Sequence, residues 1–161
     1  MTSERIDPMK RSLLKLLGLT GLSALTGCAS AQGEGRSVSI DQYNYTDRYI
    51  GDITVNGVWA GDVGAYRGGG DRIQGLLAPK DLNKRVVLKV KWIVADTYDV
   101  ATNKYTRQPS EPREAEVELP RPYPPNPHLL VLHFYPDGHV EAELTEKGSN
   151  RRIPQPEGLK K

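Results

Sequence analysis

The chain of 161 residues has a single cysteine, Cys28. No intramolecular disulfide can brace it, so its fold must rest on packing and hydrogen bonds. Other things are missing too. There is no Gly-x-Ser-x-Gly nucleophile elbow. Arg67-Gly68-Gly69-Gly70-Asp71 lacks the Gly-Lys-Ser/Thr ending of a phosphate loop and opens no helix, so it reads as a turn. Carboxylates are plentiful, but none is marked by spacing as a glycosidase pair. No internal repeat is present, and no 3.6-residue apolar periodicity follows residue 27. The expectation is a protein that is not an enzyme and carries no cofactor.

A basic excess is also missing from most of the chain. Four of the 22 basic residues (Arg5, Lys10, Arg11, Lys15) and two of the 20 acidic ones (Glu4, Asp7) precede Cys28, which leaves 18 of each sign after it. Nucleic-acid binding, which wants a basic face, loses its compositional support.

What is present begins with the leader. A basic start is followed by an apolar stretch from Leu13 to Leu25, interrupted by Gly18 and Gly21, and then by small residues. That is the order of a secretory signal, and it is short of the roughly 20 apolar residues of a membrane span. Met9-Lys10-Arg11 is itself an acceptable signal start. Lys10 to Lys15 loosely matches a twin-arginine export signal with Lys in place of the first Arg. Both starts and both export routes stay open.

Leu25-Thr26-Gly27-Cys28 resembles the lipobox of bacterial lipoproteins. The resemblance implies cleavage between Gly27 and Cys28 and lipidation of Cys28, which would use up the lone thiol. Each buried methylene adds about 0.8 kcal/mol of membrane affinity, so several acyl chains would hold the protein on a bilayer. Ala29 follows Cys28 where an Asp would resemble an inner-membrane retention signal. The expected location is the outer membrane of a Gram-negative bacterium, facing the periplasm.

The expected organisation is a signal peptide at 1–27, a flexible tether at 28–37, one domain at 38–147 and a loose tail at 148–161. Within the domain, Tyr49–Val55 and Val58–Ala60 flank Asn56-Gly57, the residues of a type I′ hairpin turn. This pairs Val55 with Val58, Thr54 with Trp59 and Ile53 with Ala60. Val86, Leu88, Val90, Trp92 and Val94 share one face, with Lys89 and Lys91 opposite, as the strongest strand. Asp96–Pro112 reads as a polar connection and 114–119 as a strand with an acidic side. The proline-rich 120–127 cannot join a ladder and should cross between sheets. Leu129–Tyr135 and Val140–Leu144 are joined by parity. A three-residue Pro136-Asp137-Gly138 loop pairs Phe134 with Val140, Leu132 with Ala142 and Leu130 with Leu144, and puts Gly138 in the left-handed position. About seven short strands with turn signals predict an all-β, antiparallel β-sandwich.

The same register places His133, Glu141 and His139 on one outward face. They are the weak candidates for a metal site. Such a site would be open, without cysteine and without an evident outer partner, so no metal is expected and solvated histidines are. Tyr43, Tyr45, Tyr49, Trp59 and Tyr66 crowd the first half. Core packing is the default reading, and an exposed aromatic patch for a protein or glycan partner is the functional one.

Tyr43-Asn44-Tyr45-Thr46, Tyr49-Ile50, Val55-Asn56-Gly57-Val58-Trp59, Gly68-Gly69-Gly70, Val90-Lys91-Trp92 and His133–Gly138 are similar to a family of small Gram-negative lipoproteins catalogued as domain of unknown function 3304. The resemblance covers about 40–145. Many members have a cysteine pair soon after the glycines, where this chain has Ile73-Gln74-Gly75, so disulfide-dependent features do not carry over. Some relatives lie beside genes for type VI secreted phospholipase effectors. The resemblance therefore implies an immunity lipoprotein whose partner is a secreted lipase. The alternative is an envelope structural or assembly lipoprotein, or a glycan- or ligand-binding module.

Overall fold

The computed structural model describes residues 37–68, 73–78, 81 and 83–159. The leader, Gly27, Cys28 and the tether up to residue 36 lie outside the described residues. The first strands are β1 (Ser37–Asn44), β2 (Arg48–Val55), β3 (Val58–Val63), β4 (Ile73–Leu77) and β5 (Val87–Asp99). They are followed by β6 (Lys104–Thr106), β7 (Glu111–Glu118), β8 (Leu129–Phe134) and β9 (Val140–Thr145). One sheet has the order β4-β1-β8-β9; in the other β3, β2 and β5 are adjacent, and β6 and β7 pair with successive parts of the free edge of β5. The fold is the expected all-β, two-sheet architecture. It differs from expectation in having nine strands among the described residues. It also differs in its first-sheet centre, where β1 and β8 run parallel in an otherwise antiparallel arrangement.

Alternation explains most of the packing. Val90, Trp92 and Val94 of β5 point inward with Leu88, while Lys89 and Lys91 face out. Val38 and Ile40 of β1 and Leu130, Leu132 and Phe134 of β8 come from the other sheet to the same core. Trp92 and Phe134 meet across the sheets, ring centroids 5.5 Å apart in a T-shaped contact, a favoured geometry for aromatic quadrupoles.

Both predicted hairpins form. Asn56 (φ 51°) and Gly57 (φ 81°) take the two left-handed positions, and Val55 and Thr54 face Val58 and Trp59. The third pair differs, because Ile53 faces Gly61 rather than Ala60. β3 has an extra residue, Ala60, between the partners of Thr54 and Ile53, and β2 compensates with one of its own between Ile50 and Ile53, around left-handed Asp52 (φ 49°). The extra residue in β2 reconciles the strand with its burial. Ile50 and Ile53 would otherwise face opposite sides, and the bulge lets both enter the core with Val55. The β8–β9 hairpin keeps the predicted register throughout, with Gly138 at φ 88°.

Two segments depart from expectation. Asp96–Pro112 is not simply a connection, because β5 continues to Asp99 and turns back through left-handed Asn103 (φ 56°) into β6. Its residues are mostly polar and exposed, so no alternation marked it. Residues 149–155, expected as a loose tail, pack back on the first sheet and the adjoining turn. The proline stretch crosses from β7 in one sheet to β8 in the other as anticipated.

Candidate functional site

β8 is buried on both sides. Leu130, Leu132 and Phe134 fill the core, and Leu129, Val131 and His133 point the other way. That second face is covered by Tyr43 and Tyr45, with Tyr135 alongside, and by the chain end. The unbroken Leu129-Leu130-Val131-Leu132 run is the sequence signal for such two-sided burial, and the parallel neighbour β1 agrees with it.

His133 is therefore not a solvated surface group. Its exposure is 0%, and its ring stacks on those of Tyr43 and Tyr45 at 5.4 and 5.9 Å. A polar relay runs through it. The Arg152 backbone N–H donates to the Tyr45 hydroxyl at 3.0 Å. The Tyr45 hydroxyl lies 2.7 Å from His133 Nδ1, and His133 Nε2 lies 3.1 Å from Glu143 Oε1. A neutral imidazole with its proton on Nε2 satisfies every member, Tyr45 donating to Nδ1 and Nε2–H donating to the carboxylate. Burial holds the His133 pKa below its ordinary 6.5, against the pull of Glu143. Burial would raise Glu143, but hydrogen bonds from Ser149 and His133 and the charge of Arg152 outweigh it and hold the carboxyl below its usual range. The Tyr45 phenol is raised, chiefly by burial, so it stays protonated and is not an activated nucleophile.

The chain end completes this face. Tyr43 donates its hydroxyl to Ser149 O at 2.7 Å. Arg151 lies over the Tyr45 ring, 4.9 Å from its centroid, and donates to Asn44 O at 3.0 Å and Arg67 O at 3.3 Å. Arg152 pairs with Glu141, and its Nη2 lies 3.2 Å from Glu143 Oε2. Glu141 does sit opposite His133 in register. Its carboxylate is held by Arg152 and the Tyr135 hydroxyl and lies 3.6 Å from Nε2 of exposed His139, whose Nδ1 is paired with Asp137, but both ring nitrogens of His133 are taken by Tyr45 and Glu143. The three candidate ligands do not converge. Among the described residues, no group of three His, Cys, Asp or Glu side chains is placed to hold a metal. Glu143, Ser149, Arg151 and Arg152 carry this arrangement, and no periodicity singled them out.

The five candidate aromatics separate. Tyr43 and Tyr45 are buried under the chain end, so they form no exposed patch. Tyr66 is half-buried in the β3–β4 connection, in a left-handed conformation (φ 56°). Tyr49 is half-buried, edge-on to Tyr105 at 6.4 Å. Burial first, then the charge and hydrogen bond of Asp62, push its phenol up to about 12. Trp59 is 55% exposed. It lies on the outer face of the second sheet, where register sets a transverse row Trp59–Thr54–Lys91–Glu114 across β3, β2, β5 and β7. At strand spacings of about 4.8 Å that row is roughly 15 Å long. Lys89 and Lys91 lie 3.6 and 3.7 Å from the Glu114 carboxylate, so the tryptophan stands beside a ridge of paired, solvated charges.

These features define a small two-sheet β domain with one outer face closed by its own chain end and the other carrying an open tryptophan. The chain belongs to the family described as protein of unknown function DUF3304, which matches residues 43–142. The matched span contains Trp59 and the Tyr45–His133 pair, and it ends just before Glu143. No curated protein sequence and no solved structure matches the chain.

Proposed function

We propose that this protein is an outer-membrane-anchored periplasmic lipoprotein that works by binding another protein, as an immunity factor against a type VI secreted phospholipase. The observation that carries the binding reading is Trp59. A tryptophan more than half exposed on a sheet face, at the end of a row that runs through Thr54 to the charges of Lys91 and Glu114, has the composition of an interface anchor with a polar surround. The lipobox-like Leu25–Cys28 supports the anchor, and the resemblance to small lipoproteins near lipase genes supports the partner. Tethering helps such an inhibitor. A lipase must reach the bilayer, and an inhibitor held there meets it at raised effective concentration.

The test is co-expression with a type VI secreted phospholipase of the kind encoded beside some of the resembling lipoproteins. The wild-type protein should co-purify with the lipase and abolish its toxicity. Trp59→Ala should weaken the complex by about 2 kcal/mol or more, the usual scale of an interface hot spot, with thermal unfolding unchanged. Full protection by the variant would remove this face from the interface. Absence of any complex with the wild type would remove the immunity reading. Trp59 stacking on a glycan instead would support the alternative of an envelope glycan-binding module.

A further inference from the structure

A pocket of about 380 Å³ opens between the two sheets at one end of the sandwich. Its lining shares no residue with the Trp59 row, and binding there is independent of the immunity reading. Its size is at the small end of ligand pockets, roughly 300–1,000 Å³. Ile50, Trp92, Val94 and Phe134 make an apolar, partly aromatic floor, and Arg48, Arg113, Asp47 and His139 stand among the lining residues.

The mouth is built rigidly. The Asn44 side chain donates to Arg48 O at 2.7 Å and Gly64 O at 3.1 Å, and accepts from the Thr46 backbone N–H and hydroxyl, both at 2.8 Å. Tyr66, which also lines the pocket, holds its left-handed conformation there through a 3.0 Å bond from its N–H to Thr46 O. Non-glycine residues in that region cost energy and cluster at binding sites.

The charges are unevenly matched. Arg48 and Arg113 share one carboxylate, that of Glu111. Arg113 Nη2 bonds it at 2.9 Å, while Arg48 Nη2 lies 3.5 Å away and, though buried, has no hydrogen-bond partner. Arg113 reaches across to the β8–β9 turn, where its Nη1 would stand 3.1 Å from a Cβ built on Gly138. Asp47 is the one acidic lining residue, and it is exposed. Two guanidiniums sharing one carboxylate beside an aromatic floor match a planar anion joined to an apolar ring.

We propose that this pocket binds a small organic carboxylate with a ring-sized apolar body, the carboxylate on Arg113 and Arg48 and the body on Trp92 and Phe134. Recognition then depends on both parts of the ligand.

The chain has two tryptophans, so Trp59→Phe leaves Trp92 as the sole indole reporter. Phenylacetate, titrated at neutral pH, should change Trp92 emission saturably. Phenethylamine, the same ring on a cation, and inorganic phosphate, an anion without the ring, should not. Adding Arg113→Gln should weaken phenylacetate roughly tenfold, the loss of one charge-assisted contact. Flat emission with phenylacetate up to roughly 10 mM, an affinity well below that of an efficient ligand of this size, would overturn the proposal. So would equal binding of phenethylamine or phosphate, which would show that the charge or the floor plays no part. The probe comparison stands even if the arginine variant folds poorly.

Discussion

His133 is fully enclosed, and both of its ring nitrogens have partners, Tyr45 on one side and Glu143 on the other. An unpaired buried donor or acceptor costs about 1–3 kcal/mol, so the relay keeps this face closed only while each proton stays where it is. Acid disturbs it in a defined direction. The folded imidazole titrates below its ordinary 6.5 because burial disfavours its charged form. The unfolded chain therefore binds the proton first. The contribution of His133 is fully present above about pH 6.5 and is lost as pH falls toward the folded pKa. Glu143, held below its ordinary 4.5, adds a second loss in the same direction at lower pH. Thermal unfolding should occur at progressively lower temperature from pH 7.5 to pH 5. His133→Gln should be less stable at pH 7.5 by about 1–3 kcal/mol and show a flatter profile between pH 7.5 and 5.5. An unchanged slope in the variant would assign the acid sensitivity to other groups.

At the scale of strands and turns, two glycines with left-handed backbones separate two costs. Gly57 (φ 81°) sits in the β2–β3 turn with nothing within 4 Å of a built Cβ. Alanine there meets only backbone strain, and Gly57→Ala should lower stability by about 1 kcal/mol. Gly68 (φ 143°) forms an isolated bridge to Tyr43. A Cβ on it would stand 2.2 Å from Gln42 O and 2.7 Å from Tyr43 Cα, both main-chain atoms of β1. Gly68→Ala must push the β3–β4 connection off β1, and should cost more than about 3 kcal/mol. Urea midpoints of the two variants measure the difference, and equal midpoints would show that this connection yields freely. The same scale explains what could be read in advance. The β8–β9 register followed from parity, because only one loop length keeps Glu141 and Glu143 out of the core. The Asp52 bulge did not, because one inserted residue leaves no mark in a segment where polar and apolar residues already alternate imperfectly.

At the scale of the whole molecule, the lipobox-like motif makes its own claim, separate from the domain. Cys28→Ser should abolish acyl labelling and move the protein from the membrane to the soluble fraction. Retention of the serine variant in sedimented membranes would refute the anchor. The domain itself has two unlike outer faces. One is closed by Ser149, Arg151 and Arg152, and the other is left open with Trp59 and its charge row.

Much of this organisation lay in the sequence alone: the all-β class, the two hairpin turns, the inward set of β5 and the sheet-to-sheet proline crossing. These follow from side-chain period and turn chemistry, which act between near neighbours and are written in order along the chain. Only the tertiary structure decided that β1 and β8 lie parallel, that Tyr43, Tyr45 and His133 are buried, and that Arg48 and Arg113 meet at one pocket. Those outcomes depend on which distant segment covers a given face. The covering residues, Ser149 to Arg152, hold on through main-chain carbonyls, hydroxyls and charges, interactions that leave no period behind.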